Sequence, residues 1–574
     1  MMGLLAHAAC FGAGTSATAA WHSLPGFPKL LSDVSGSSPF IRDIDGDREM
    51  EIVFGDNSWY LHVVNARGQE KPGWPQRVGA WIQSDPAFGD IDGDGVGEIV
   101  CGTGWVSGGQ IYAWKISGAL VPGFPVLAGG PNVQVNLNEG VTLADINSDG
   151  QCEIFIKGQG DGHDYYVALD GRGRFLPGWP IVKPGANLFS GCKPLVADIT
   201  GEGKKAVVTL GSDGWLYAFS ATGTVLPGWP QYIDSGIYID PLAIDLDNDG
   251  VYDVVAGGAA FHGDGTSVPG WPLPWPRNGY YGSAIAADVT GDAKPEIILA
   301  NQQGQSLAVV RLDGTFLPGW PITTLSQSSC AATPLAADVD GDSQNEIVVA
   351  LTYPAQIAAY KSNGTLVPGW PYFIKSGEYQ ASTPTITDID QDQKWDLAFG
   401  TYDNTFQVVS LGIPVSSRPG WTEYGGDQWR QSIYVKEAQI PNPILVFTGT
   451  EDYTANDRLW TRYNLSVSNR REYPAELFAP APQLPPCGLN TNASRTWVNI
   501  FQADGTYLYG FCALSQPDDL DGIWFAVPLG STPPPAVYIT LVDRLSGITY
   551  MSNLVIPTKP TDTASSNSGT GTRG

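Results

Sequence analysis

Positive charge is scarce in this chain. Against 58 Asp and Glu stand 31 Lys and Arg, and His numbers only 5, which leaves a net charge of −27. Nucleic-acid binding rests on Lys and Arg neutralising phosphates, so nucleic acid is excluded as the natural partner, and so is attraction to an anionic membrane surface. Long apolar runs are also missing. No segment approaches the roughly 20 apolar residues a bilayer-spanning helix needs, so membrane insertion is not expected. Cysteine is sparse at 7, and none of the seven forms C-x-x-C, which excludes the common thiolate zinc spacings. Cys487 and Cys512 remain as a candidate disulfide in the C-terminal region. Charged residues make up only 16%, low for a helical protein.

Turn-formers and aromatics are abundant. Gly 70 and Pro 44 make about a fifth of the chain, and Trp 19 and Tyr 24 favour strands. The composition points to an all-β protein. Residues 1–20 carry no charge and end in Ala17-Thr18-Ala19, an A-x-A-like cleavage site, so a signal peptide lacking its basic start is expected there.

The dominant pattern is a nonapeptide D-x-D-x-D-x-x-x-[DE], intact or slightly varied, starting at Asp43, Asp90, Asp145, Asp198, Asp245, Asp288, Asp338 and Asp388. Roughly half of all acidic residues fall at positions 1, 3, 5 and 9 of these loops, so the acidity is local chemistry rather than a general surface property. Carboxylates at alternating positions curl their oxygens inward, and such an irregular, oxygen-rich shell suits Ca²⁺ better than Mg²⁺. Five copies are complete: Asp43, Asp45, Asp47, Glu51; Asp90, Asp92, Asp94, Glu98; Asp245, Asp247, Asp249, Asp253; Asp338, Asp340, Asp342, Glu346; and Asp388, Asp390, Asp392, Asp396. The third (Asp145, Asn147, Asp149, Glu153) and sixth (Asp288, Thr290, Asp292, Glu296) replace one carboxylate with a neutral oxygen. The fourth is degraded, with Thr200, Glu202 and Ala206 in place of the later ligands. About five to seven Ca²⁺ ions are therefore expected, counted from the complete and near-complete loops.

Around each loop the same parts recur. A short strand precedes it, a β-rich run such as Glu98-Ile-Val-Cys-Gly102 follows, then a third strand such as Gln110-Ile-Tyr-Ala-Trp114. A P-G-W-P turn closes the unit at Trp74, Trp179, Trp229, Trp271, Trp320 and Trp370, with variants at Phe27, Phe124 and Trp421. Proline places this turn at an edge strand or its entry, and the aromatic is expected to wedge between neighbouring sheets. Four short strands per unit of about 50 residues is the pattern of a propeller blade. An eight-bladed β-propeller over residues 21–432 is expected, with seven blades and one aberrant unit as the alternative. The extra turn at Pro25-Gly26-Phe27-Pro28 predicts that the N-terminal segment packs on the last unit.

The loops and the strands after them resemble the FG-GAP/VCBS repeats of integrin-α-type β-propellers over about 400 residues. The resemblance implies Ca²⁺ in the loops. It suggests adhesion or glycan binding in some relatives and polysaccharide lyase chemistry in others. Residues 433–556 lack both motifs and contain strand-like runs such as Thr496–Phe501, Thr506–Phe511, Gly522–Val527 and Ala536–Val542, which predict a small β-sandwich. The polar residues 557–574 are expected to be disordered.

No catalytic set stands out. His62, His163 and His262 fall in different units. Trp59, Trp81, Trp105 and the stretch from Trp275 to Tyr281 are candidates for stacking on sugar rings. The expectation is a secreted or cell-surface, calcium-stabilised binding, adhesion or scaffold protein with an extracellular glycan or protein partner. The alternative is a polysaccharide lyase-like enzyme using the propeller face.

Overall fold

The computed structural model describes residues 21–557 except 46, 48, 95, 105–108, 131–132, 134, 138–139, 186–191, 234–238, 275–282, 302–305, 324–332, 352–354, 375–381, 416–419, 427–429, 435–442, 456–457, 474, 481–492, 504–505, 513 and 545–548. The chain divides into two compact units, Met1–Val435 and Lys436–Gly574. It is all-β, and among the described residues no helix is long and apolar enough to cross a membrane.

The first unit is propeller-like. Its described strands form eight antiparallel sheets, six of them four-stranded meanders. The first sheet comprises Phe40–Arg42, Glu51–Gly55, Tyr60–Asn65 and Gln76–Arg77, each paired with the next. The second strand of each sheet is buried on both faces, which is why it reads as an unbroken apolar run (Ile52-Val53-Phe54, Ile347-Val348-Val349) rather than an alternation. Consecutive sheets share cores. Val100, Ile111 and Ala113 of the second pack with Leu143, Ile154 and Val167 of the third.

The last sheet borrows its outer edge. Thr405–Pro414 pairs with Lys394–Gly400 on one side and with two N-terminal strands on the other, His22–Ser23 and Lys29–Leu30. The P-G-F-P turn lies between those two strands and is therefore the eighth sheet's own; the turn in excess of the eight loops is the one at Trp421, which pairs with Ala336 of the seventh sheet's first strand and does not close a unit.

A hydrogen-bonded chain links the entries of the first strands. The residue before the proline of one sheet donates its N–H to the side chain of its counterpart in the next. Lys193 N–H reaches Asp240 Oδ1 at 2.7 Å, Asp240 N–H reaches Ser283 Oγ at 3.3 Å, and Thr333 N–H reaches Thr383 Oγ1 at 3.3 Å. Ser38 N–H donates to Asp85 Oδ1 in the same way. Thr383 N–H donates to Ser38 Oγ at 3.2 Å, which ties the eighth sheet to the first.

The P-G-W-P tryptophans are wedges. Trp74, Trp179, Trp229, Trp271 and Trp320 are buried, and each indole N–H donates to a turn carbonyl of the next sheet: Ile116, Ala221, Gly263, Leu312 and Ser362, at 2.6–3.3 Å. The preceding glycine is required. Gly178 has φ +86° and its missing Cβ would fall on the Thr222 carbonyl of the neighbouring sheet.

The second unit holds two sheets around one core. One is Leu445–Ala455, Arg458–Val467 and Ile523–Pro528. The other is Tyr507–Phe511, Thr496–Gln502, Val537–Asp543 and Thr549–Met551. Tyr463, Leu465 and Phe525 of the first meet Val498, Ile500, Ile539 and Leu541 of the second. Cys512 is disulfide-bonded, while Cys487 lies outside the described residues.

Gly178→Ala should destabilise the first unit by about 2 kcal/mol, because it adds both strain at positive φ and a backbone clash. Trp179→Phe keeps the wedge and loses one hydrogen bond, at a cost of about 1 kcal/mol. Thermal melting of both variants should rank glycine above tryptophan; the reverse order would contradict the close approach at Gly178.

Candidate metal loops and a buried polar centre

Each Asp loop joins the first two strands of its sheet. Two left-handed residues curl it. Position 4 has positive φ in Gly93, Ser148, Gly201, Asn248, Gly291, Gly341 and Gln391, and position 6 has it in Gly150, Gly203, Gly250, Ala293, Ser343 and Gln393. Small or amide-bearing side chains tolerate this geometry best. The carboxylate at position 1 caps the curl. Asp245 Oδ2 accepts Gly250 N–H at 3.1 Å and Asp388 Oδ2 accepts Gln393 N–H at 2.9 Å.

Position 9 divides its two oxygens between separate tasks. In all seven loops that have a carboxylate there, one oxygen accepts the backbone N–H of position 2: Ile44, Ile91, Ile146, Leu246, Val289, Val339 and Ile389, at 2.9–3.1 Å. The residue is buried each time. The second oxygen turns into the loop. In the fourth copy Ala206 removes both contacts, although Asp198 still caps Gly203 N–H at 2.7 Å. That loop keeps its turn and loses its acidic floor.

The donor set fits a hard divalent cation. In five loops three carboxylate oxygens lie within 4.8 Å of one another: Asp43, Asp45, Glu51; Asp90, Asp92, Asp94; Asp245, Asp247, Asp253; Asp338, Asp340, Glu346; and Asp388, Asp390, Asp396. An ion with bonds of about 2.3–2.6 Å spans that separation. These are the five loops whose sequence is complete. In the eighth, Asp388 Oδ1 and Asp396 Oδ1 are buried without a hydrogen-bond partner, as expected of ligands facing a cation. Burial pushes Glu153 and Glu296 up to about 7, Glu346 to about 8 and Asp396 to about 6. A bound cation would keep all four ionised.

In the third and sixth loops the neutral substitute turns on position 9 itself. Asn147 Nδ2 donates to Glu153 Oε1 at 2.8 Å, and Thr290 Oγ1 donates to Glu296 Oε1 at 3.2 Å. Asp47, Asp94, Asp149, Asp249, Asp292, Asp342 and Asp392 at position 5 each accept the N–H of position 7, at 2.8–2.9 Å.

Three residues that the motif did not reveal enter the loops. Lys71 Nζ lies 2.7, 2.8 and 3.0 Å from Asp45, Asp47 and Glu51. Lys115 Nζ lies 2.7, 2.7 and 2.8 Å from Asp92, Asp94 and Glu98. Lys361 Nζ lies 2.6, 2.9 and 3.7 Å from Asp340, Asp342 and Glu346. Lys115 and Lys361 share one repeat position, directly after the third strand, and that recurrence was the available signal.

The histidines do not converge. His62 is buried between Asp56 (3.2 Å) and Glu70 (2.7 Å); burial works to lower its pKa, but the two carboxylates outweigh it and raise it. His163 Nδ1 lies 2.8 Å from its neighbour Asp161 O, and His262 Nδ1 lies 2.8 Å from Asp253. Among the candidate stacking residues, Trp59 and Trp81 are half-buried and Arg77 lies over the Trp59 ring. Trp105 and residues 275–281 lie outside the described residues. An exposed aromatic pair missed in the sequence is Trp215 and Tyr232, cross-strand neighbours in edge-to-face contact at 5.4 Å.

A second polar cluster forms where residues 420–426 and 430–434 meet the first strands, or the residues leading into them, of seven sheets. Trp421 pairs with Ala336 through both its N–H and its carbonyl at 2.8 Å, Thr422 O accepts from Ile386, and Ser432 O accepts from Ala243. Arg430 is fully buried and donates to the carbonyls of Pro86, Tyr424 and Ser38. Lys193 Nζ donates to Arg430 O at 2.5 Å and Ser432 Oγ at 2.6 Å, and Tyr424 OH donates to Asp240 Oδ2 at 2.6 Å. Burial pushes Asp85 up to about 6 against the pull of Arg430.

A raised carboxyl favours the protonated fold. Asp85 therefore contributes stability that is present below the unfolded value near 3.8 and is lost as pH rises through about 6. Asp85→Asn should flatten that slope. Melting curves from pH 4 to 7 should show wild type losing up to about 3 kcal/mol relative to the variant; parallel curves would refute the assignment.

Residues 288–349, which hold the sixth loop and the start of the seventh unit, match the family model of the FG-GAP-like repeat. No curated protein matches the chain in sequence. Among solved structures, the exotype rhamnogalacturonan lyase YesX aligns with 68% of this chain and 76% of its own at 16% identity and TM-score 0.45. BBS1N, crystallised in complex with ARL6DN, aligns with 68% of this chain and 95% of its own at 10% identity and TM-score 0.40. The V. cholerae biofilm matrix protein Bap1 aligns with 93% of this chain and 82% of its own at 13% identity and TM-score 0.31. The chain thus contains an FG-GAP-like repeat within a β-rich, propeller-like fold.

Proposed function

We propose that the first unit is a closed eight-bladed β-propeller whose Asp loops hold Ca²⁺, that the second is a β-sandwich, and that the protein is secreted or displayed at the cell surface. There it acts as a binding, adhesion or scaffold module for an extracellular glycan or protein. Closure is supported by the tie from Thr383 to Ser38 and by the N-terminal strands on the last sheet. Ca²⁺ is supported by the all-oxygen donor set and by the orphaned oxygens of Asp388 and Asp396.

The observation that carries the binding role is the use made of the central charged groups. Lys193, Arg430, Asp85 and Asp240 are buried and hold the chain together, so among the described residues these central charged groups are committed to structure. Contact with a partner then falls to the outer surfaces. On one of these the exposed Trp215–Tyr232 pair offers flat faces with polar tips, suited to sugar rings.

Chelator should lower the melting temperature by many degrees, and Ca²⁺ should restore it better than Mg²⁺. No shift would remove the calcium reading. A glycan-binding screen with wild type and Trp215→Ala, run beside an assay for unsaturated sugar products, tests the role. Binding lost in the variant supports it, and unsaturated products would replace it with the lyase alternative.

A further inference from the structure

The seven loops with a carboxylate at position 9 differ in what faces its inward oxygen. In the first, second and seventh it is a lysine ammonium that also touches positions 3 and 5. In the fifth, His262 touches position 9, and in the eighth Lys394 pairs with Asp392 at position 5 while Asp396 Oδ1 meets neither an ammonium nor an imidazole. The lysines come from two different places. Lys115 and Lys361 follow the third strand, whereas Lys71 stands directly before Pro72 of the P-G-W-P turn, where the other units carry Val121, Leu176, Leu226, Val268, Leu317 and Val367. Two unrelated positions deliver an ammonium to the same three oxygens, so the oxygens, not the backbone, select it.

We propose that Lys71, Lys115 and Lys361 are tethered counter-ions that hold the first, second and seventh loops folded without metal and must swing out before a divalent ion can enter. This rests on the calcium reading above. An ammonium and a divalent ion cannot share oxygens at under 3 Å, because both are cations. The three lysine-bearing loops therefore bind Ca²⁺ in competition with their own side chain. The fifth loop has no lysine, and in the eighth the exposed Lys394 pairs with Asp392 at position 5 and not with the inward oxygen of Asp396, so these two loops fill first. The ring thus carries two grades of site: tight ions that stay, and weaker ones that respond to the surrounding concentration.

The test is calorimetric titration of the chelator-stripped full-length protein with Ca²⁺, together with its melting temperature in chelator. Wild type should show at least two classes of site. Asp396→Asn should remove one ion from the tight class. The triple variant Lys71→Met, Lys115→Met, Lys361→Met should bind in its weaker class at least tenfold more tightly, yet melt several degrees lower in chelator and like wild type in saturating Ca²⁺. If the triple variant is poorly folded, Lys115→Met alone should show the same two effects at one site. A single class of sites, or lysine variants with unchanged affinity and chelator melting, would overturn the proposal while leaving calcium binding intact. No binding at all would overturn the calcium reading and the displacement with it.

Discussion

A buried carboxylate at the end of seven of the eight loops is the interaction that ties loop to sheet. Glu51, Glu98, Glu153, Asp253, Glu296, Glu346 and Asp396 open the second strand of their sheets, next to the core. One oxygen holds the backbone N–H that starts the loop, and the other is left inside it. A charge so placed needs a counter-charge, because an unpaired buried carboxylate is costly. The loops answer in different ways: an ammonium at the inward oxygen in three, a neutral donor in two, an imidazole in one, and in the eighth only a lysine held one ligand away, at Asp392. The fourth unit avoids the problem with Ala206. Its first strand still pairs through Leu195↔Val208, so the sheet itself does not require the acid.

Much of this was legible in advance, for a definite reason. Loop, strand and wedge recur in phase, and a repeat must satisfy the same backbone constraints each time. The strand after each loop, the place of P-G-W-P before the outer strand and the N-terminal pairing on the last sheet were all readable from that rhythm. What escaped was whatever occurs once. Beyond the turn variant at Trp421, residues 420–434 repeat nothing found elsewhere in the chain, so nothing in the pattern marked Arg430 as buried or Lys193 as its partner. The lysines were hidden because they lie about 20 residues beyond the loops they enter. In the second unit the hairpin Leu445–Ala455 and Arg458–Val467 was missed because much of its outer strand is exposed and polar, which blurs the alternation a half-buried strand should show.

The buried centre and the loops serve complementary ends. The loops fix their sheets from within, through one buried carboxylate in seven of the eight. Residues 420–434 act across units, since Arg430 alone donates to carbonyls of Ser38 and Pro86 in two different sheets. Losing one loop leaves seven others, whereas losing Arg430 would take this donor from the carbonyls of Ser38, Pro86 and Tyr424 and the neighbouring positive charge from Asp85 at once. Local redundancy is thus combined with a single shared dependency.

The borrowed edge of the last sheet sets an order of events in the life of the chain. Thr405–Pro414 is covered on one side only by His22–Ser23 and Lys29–Leu30, so residues 22–30 wait for a strand translated almost 400 residues after them. Proteolytic maturation that cut beyond Leu30 would leave that edge open to strands of other molecules, which would turn a covered sheet into a template for assembly.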